Sequence, residues 1–374
     1  MYANLLAELD DARFGANARL RAEALAREAG FALRRTDGAA DERLAAWIDL
    51  HFAPSGWSSE VRAGSAWVAE RDGEIGGFAA FAARGLRFFW LRGYGERRDV
   101  GIFGPYGVAP AHRGTGIGEA LLLAALAGLR EAGHGKALIP AVRGERLIAT
   151  YEARTGATIV ERFDLSVARA RTSILASGAG TNARNVLERV RDGTLPLDVR
   201  AVIANDANAG ALEAAREHGV AAIPVVWDRA VESRAEFDAR VAEATARTEP
   251  ELVLLLGWMH LLAPAFLQRF PQTINLHPAF LPHDSSRDEV VMPDGSVVPA
   301  LRGAHALRDA LRAGAQWTGA TVHYVTPATD RGEVLVRIPM RVDDATTEHE
   351  LRERIRPLEF AAVPAAIRRW SFER

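Results

Sequence analysis

Along the second half of the chain, short apolar runs of strand length recur between polar or glycine-containing breaks. Thr172 to Ala176 runs into the small-residue stretch Ser177-Gly178-Ala179-Gly180 and then into a helical segment. Val202-Ile203-Ala204 stops at Asn205-Asp206, and Leu252-Val253-Leu254-Leu255-Leu256 stops at Gly257-Trp258-Met259. Thr273-Ile274 leads into Asn275-Leu276-His277-Pro278, and Gly319 to Val325 precedes Asp330. Each run predicts a strand opening into a loop, which is where open α/β sheets carry their chemistry. Val290-Val291 and Val297-Val298, flanking Pro293-Asp294-Gly295-Ser296, predict a hairpin.

The first half reads differently. Trp67-Val68-Ala69 and Gly77-Phe78-Ala79-Ala80-Phe81 predict an alternating pair of strands, residues 100–107 a further strand, and residues 119–131 a helix. Most of residues 5–29 reads as helical, with Leu20, Ala24 and Leu25 as apolar positions, and offers a cap on the first domain or a surface for pairing two copies. The join at residues 164–171 has no Gly/Ser-rich or Pro-rich stretch, so the boundary is placed between residues 168 and 169 with a short connector. A chain of 374 residues exceeds one ordinary core, which also argues for two domains, 1–168 and 169–374.

Composition narrows the function more by exclusion than by suggestion. No apolar run is long enough to cross a bilayer and residues 1–8 lack the regions of a secretory signal, so a cytoplasmic location with no membrane partner is expected. A formal charge of −2 gives no overall field for nucleic acid. The absence of cysteine removes disulfides, thiolate nucleophiles and thiolate metal sites, and the ten histidines lack paired helical spacing, so nothing calls for a metal. Lys136 is the only lysine, which leaves Schiff-base chemistry almost nowhere to reside.

Asn275 and His277 lie two positions apart at a predicted strand end, which turns both side chains to one side. With Asp330 they supply an amide to hold an oxyanion, an imidazole to exchange a proton and a carboxylate to orient it, the parts needed for acyl transfer. In order, the runs at 172–182, 202–206, 252–259, 274–278 and 319–330, followed by Glu359 in the last helix, resemble the phosphoribosylglycinamide formyltransferase family over residues 171–369. That resemblance implies a Rossmann-like domain with a mainly parallel sheet, using 10-formyltetrahydrofolate as formyl donor. It implies Asn275, His277 and Asp330 as catalytic residues and a folate bound against Trp258, Met259 and Leu262. It also implies a phosphate loop at Gly178, Ala179, Gly180, Thr181 and Asn182, with Glu359 beside the acceptor; an anionic amine acceptor follows. His260 and His323 are left open between structural and functional roles. The segment at about 283–302 departs from the family as an insertion, read as a lid or an acceptor wall.

The first half carries a second signature. Val108 precedes Arg113-Gly114-Thr115-Gly116-Ile117-Gly118 and a helical stretch, and Tyr151 lies downstream in Ala149-Thr150-Tyr151-Glu152. Glycines there keep side chains away from a helix start whose amides can converge on a pyrophosphate. Over residues 30–163 this order resembles the GNAT acyltransferase superfamily. The resemblance implies a mixed, largely antiparallel sheet with helices, acetyl-CoA or another acyl-CoA held by Val108 and Arg113 to Gly118, and Tyr151 as the acid that protonates the departing thiolate. Among Asp99, Glu96 and Glu60 the sequence does not choose a base.

Together these features predict a two-domain α/β transferase acting on a small amine. The leading expectation is a bifunctional N-acyltransferase of specialised metabolism, formylating one nitrogen and acylating an amine or hydrazine. The alternatives are glycinamide ribonucleotide formylation with an accessory GNAT domain, and a GNAT domain that only senses acyl-CoA.

Overall fold

The computed structural model describes residues 1–342 and 347–374. These residues divide into two compact units, one of Met1–Phe52, Trp57–Ser166 and Phe372–Arg374, the other of Ala53–Gly56 and Val167–Ser371.

The first unit contains β1 (Tyr2–Glu8), α1 (Asp11–Phe14), α2 (Ala16–Glu28), β2 (Ala32–Asp37), α3 (Glu42–Phe52), α4 (Trp57–Val61), β3 (Ser65–Arg71) and β4 (Glu74–Phe81). It continues with β5 (Val100–Val108), α5 (Ile117–Glu131), β6 (Lys136–Arg143), α6 (Glu145–Thr155) and β7 (Thr158–Phe163). Its strands form one sheet in the order β2-β3-β4-β5-β6-β1-β7, antiparallel except between β5 and β6. That one parallel pair joins only Val100–Ile102 to Lys136–Leu138, so β5 and β6 run on without pairing to each other over the rest of their length.

Two expectations fail here. Residues 5–8 are not helical: they belong to β1, which inserts between β6 and β7 with Ala3, Leu5 and Ala7 fully buried. A stretch of Ala and Leu has helical propensity, but propensity yields to two flanking strands. On α2 the buried face is Ala18, Ala22 and Ala26, whereas Leu20 is 58 % exposed. The strands β3 and β4 do not alternate between core and solvent. Phe81 and Ala79 pack in the cluster beneath α2 and α5, and Phe78 and Ala80 in the cluster with Leu44 and Ile48 of α3, so both faces of β4 are covered.

The second unit contains β8 (Ala170–Ala176), α7 (Thr181–Arg191), β9 (Leu197–Ala204), α8 (Gly210–Glu217), β10 (Ala221–Pro224), α9 (Arg234–Ala246), β11 (Leu252–Leu255), α10 (Pro264–Arg269) and β12 (Thr273–His277). After them come β13 (Glu289–Val291), β14 (Val297–Pro299), α11 (Ala306–Arg312), β15 (Trp317–Tyr324), β16 (Val334–Arg341) and α12 (Glu348–Glu373). The main sheet has the order β10-β9-β8-β11-β12-β15-β16, parallel from β10 to β12 and antiparallel at β12-β15 and β15-β16.

Alternation along each strand sends side chains to opposite faces, which explains the layers. Ile174, Val202, Leu254 and Ile274 pack with Val186 of α7, Leu212 of α8 and Val363 of α12, while Leu175, Ile203 and Val253 pack with Phe237 of α9 and Phe266 of α10. Strands covered on both sides have no polar face to show, hence the continuous apolar runs. The chain leaves β8 toward β9 and β10 on one side, then crosses to β11 and β12 on the other. The crevice at the strand ends lies at this reversal, where α/β sheets bind ligands.

The hairpin is present, pairing Val290 with Val298 and Val291 with Val297. Its turn is tied down: the Asp294 carboxylate accepts from the Trp317 indole at 2.9 Å and from Arg341 at 3.0 Å, and Met292 is fully buried.

Candidate active site

A cavity of about 720 Å³ opens at the reversal point of the second sheet. The loops after β8, β11 and β12 line it, together with residues 303–307, the loop before Asp330 and one face of α12. It brings together Asn275, His277, Asp330, residues 178–182, Trp258, Met259, Leu262 and Glu359. Among the described residues the hairpin strands do not appear in its wall, and the lining resumes at Gly303, just after that segment.

Asn275 and His277 project from β12, whose antiparallel register sets Asn275 opposite His323 of β15. The His323 ring donates from Nδ1 to the Tyr324 carbonyl at 2.7 Å, and its Nε2 lies 3.3 Å from the Asn275 amide nitrogen. His277 is buried and donates from Nε2 to the Leu301 carbonyl at 2.7 Å. The proton this ring gains or gives therefore sits on Nδ1, which lies 3.5 Å from Asp330 Oδ2. Asp330 Oδ1 lies 3.5 Å from His323 Nε2, and the Gly303 amide donates to Oδ2 at 2.7 Å.

Burial opposes the Asp330 charge, yet the two imidazoles and the Gly303 amide outweigh it and hold the carboxyl well below the usual carboxylate range. Burial also draws His277 below its ordinary value, with Asp330 and the Leu301 carbonyl pulling the other way. A carboxylate would ordinarily raise a neighbouring imidazole, and here desolvation wins. Near neutral pH the pair is an ionised Asp330 facing a neutral His277, ready to take a proton on Nδ1. His323, left open in the sequence, is thus in contact with both Asn275 and Asp330.

Gly180 caps α7 in the left-handed region at φ 73°, and a Cβ there would approach the Ala211 backbone to 2.4 Å. A Cβ on Gly178 would meet nothing within 4 Å, so this glycine leaves the cavity wall open. Asn182 donates to Glu359 at 2.7 Å, while its buried Oδ1 has no hydrogen-bond partner among the described residues. Burial raises the Glu359 carboxyl. Trp258 is a core side chain, stacked 6.5 Å from Phe237, whereas Met259 is 57 % exposed. Arg352 and Arg356 also line the cavity. Glu348, Arg352, Arg356 and Glu359 follow at spacings of four, four and three, which places all four along one helix face, a period visible in the sequence.

In the first unit, α5 starts at Gly116, φ 99°, with no side chain capping its N-terminus. Gly114 is likewise left-handed at φ 81°, and Arg113 donates from Nε to the Val108 carbonyl at 3.3 Å. Tyr106 reaches over the same helix start: a Cβ on Gly118 would lie 2.6 Å from its hydroxyl. Tyr151 is buried on α6, edge-on to Phe103 at 6.1 Å, and burial raises its phenol above the ordinary value. Asp99 is spent on Arg97, 2.7 Å away, on the exposed surface. Among the described residues no group of His, Asp and Glu side chains is arranged to hold a metal ion, and no helix is long and apolar enough to cross a membrane.

The formyl transferase family profile matches residues 170–367, just over half of the 374 residues. The chain belongs to the formyl transferase family. The acetyltransferase (GNAT) family profile matches residues 24–157, so a second transferase domain stands ahead of the first. Phosphoribosylglycinamide formyltransferase of Mycobacterium tuberculosis H37Rv is 38% identical over 203 residues, covering 54% of this chain and 84% of the relative. The enzyme of the same name from Escherichia coli K12 is 29% identical over 195 residues, covering 52% and 84%. The crystal structure of glycinamide ribonucleotide transformylase 1 from Symbiobacterium toebii is 35% identical, covers 54% of this chain and 88% of that one, and gives a TM-score of 0.47.

Proposed function

We propose that the C-terminal unit transfers a formyl group from 10-formyltetrahydrofolate to the primary amine of glycinamide ribonucleotide or a close analogue. The carrying observation is the contact set of Asn275, His277 and Asp330 in one cavity with the open amide loop at 178–182. The amine attacks the formyl carbon, the new C–N bond forms, and the tetrahedral oxyanion meets the Asn275 amide. His277 takes the amine proton on Nδ1 and is held as imidazolium against Asp330. As the bond to the folate nitrogen breaks, that proton passes to the leaving nitrogen, so charge and protons balance. Donors aimed at such an oxyanion contribute on the order of 100- to 1000-fold each. The acceptor phosphate would sit at the start of α7, and the unpartnered Asn182 Oδ1 would take a hydrogen from its ribose or amide.

For the N-terminal unit we propose acyl transfer from acyl-CoA to an amine. The α5 amides and Arg113 would take the pyrophosphate, and Tyr151, kept protonated by burial, would protonate the thiolate. The chain is then a bifunctional N-acyltransferase. A specialised amine or hydrazine acceptor is the second reading, favoured by the presence of that domain; the insertion gives it no support because it stays out of the cavity wall. A homodimer in the cytoplasm is part of the same proposal. Incubation of the whole protein with each donor and either glycinamide ribonucleotide or a panel of small amines and hydrazines tests both readings. Formylated glycinamide ribonucleotide supports the first, and formylation of other amines alone supports the second.

A further inference from the structure

The insertion stands outside the cavity yet reaches the catalytic loop through a set of arginines. Arg302 donates from Nε to the Asp330 carbonyl at 3.2 Å, from Nη2 to the Arg287 carbonyl at 2.7 Å, and from Nη1 to the Asp288 carboxylate at 3.1 Å. Arg331, next to Asp330, donates to the Ser285 carbonyl at 2.6 Å and pairs with the same Asp288 oxygen. One carboxylate on the insertion therefore gathers two guanidinium groups, one of which donates to the Asp330 carbonyl while the other belongs to the next residue along the chain. The two residues bracketing Arg302 complete the set, since the Leu301 carbonyl holds His277 and the Gly303 amide holds Asp330.

The catalytic loop needs such a grip. Asp330 sits at φ 51°, a left-handed conformation that is unfavourable for a residue with a Cβ and persists only where its surroundings fix it. The far end of the insertion is no freer, because Asp294 ties the hairpin turn to β15 and β16. A segment pinned at both ends braces what it touches rather than opening and closing over it.

We propose that the inserted segment is a brace for the catalytic carboxylate, with Asp288 as its positioning residue. This rests on the reading of Asn275, His277 and Asp330 as the catalytic set. When Asp288 loses its charge, Arg302 and Arg331 compete for Asp330, and the carboxylate turns away from His277. Displacement of a catalytic group by about 1 Å costs up to about 100-fold.

The test is Asp288→Asn in the full chain, read in two ways. Formyl transfer from 10-formyltetrahydrofolate to glycinamide ribonucleotide should fall roughly 10- to 100-fold in kcat with little change in KM. The His277 titration, followed by NMR of 15N-histidine-labelled protein and assigned with His277→Ala, should move to lower pH. Asp288→Glu should restore most of both. Arg302→Lys keeps the charge but not the three-way fork, and should reproduce the kcat loss. The side chain of Asp288 is 75 % exposed, so Asp288→Asn leaves no buried group unpaired, and an unchanged denaturation midpoint checks that the variant keeps its fold. An unchanged His277 titration in Asp288→Asn, or full activity in both Asp288→Asn and Arg302→Lys, overturns the brace. Full formyl transfer by His277→Ala overturns instead the catalytic reading beneath it.

Discussion

The two units approach acyl transfer with different materials. At the C-terminal site the groups proposed for the chemistry are side chains, Asn275, His277, His323 and Asp330, each held through the ring or carboxylate of the next and through backbone groups from distant segments. In the N-terminal unit the proposed acyl-CoA site is mostly backbone, the uncapped start of α5 with left-handed Gly114 and Gly116, joined by the buried phenol of Tyr151. A site of side chains fails through the loss of one functional group. A site of backbone amides fails only when the loop conformation changes.

That contrast is broken most directly by Asn275→Ala. Formyl transfer should drop roughly 100- to 1000-fold in kcat, with KM for the folate nearly unchanged. Acyl-CoA turnover by the same protein should be unaffected, and equal losses in both reactions would show that the sites do not work separately. Tyr151→Phe makes the reciprocal change. Thiol release should slow by about 100-fold while acyl-CoA still binds, and unchanged release would remove Tyr151 as the acid.

Gly180→Ala probes the backbone part of the C-terminal site. Its left-handed φ and the approach to Ala211 should destabilise that unit by about 1–3 kcal/mol, seen as a lower midpoint in denaturant. The smallest effect is on pH dependence. His277 and Asp330 have folded-state values below their ordinary 6.5 and 3.8, so the unfolded chain takes up those protons first. The C-terminal unit should lose stability as pH falls, from about 6.5 through His277 and further below 3.8 through Asp330. Tyr106 and Tyr151 are raised above 10, so the N-terminal unit should instead lose stability as pH rises past that value. Calorimetric transitions that shift together at both extremes would contradict this division.

Much of this site is readable along the chain because a strand places alternate residues on one side, and Asn275 and His277 need no other information to be neighbours. The glycine loops at 114–118 and 178–180 are likewise local, each a few residues ahead of a helix. What escapes a linear reading depends on sheet register and on long loops. His323 meets Asn275 only because β12 and β15 pair antiparallel, 48 positions apart. Leu301 and Gly303 reach His277 and Asp330 across 24 and 27 positions from the end of an insertion that looked like a lid. The misreading of residues 5–8 has the same origin, since only the pairing with β6 and β7 makes them a strand.

The proposed formyl transfer depends most on His277. Purified protein and its His277→Ala form, each incubated with 10-formyltetrahydrofolate and glycinamide ribonucleotide, are compared by mass spectrometry of the acceptor over time. If His277 transfers the proton, a formyl-sized mass increase accumulates with the unaltered protein and is slowed at least about 100-fold with His277→Ala. An increase that proceeds undiminished in His277→Ala would contradict it.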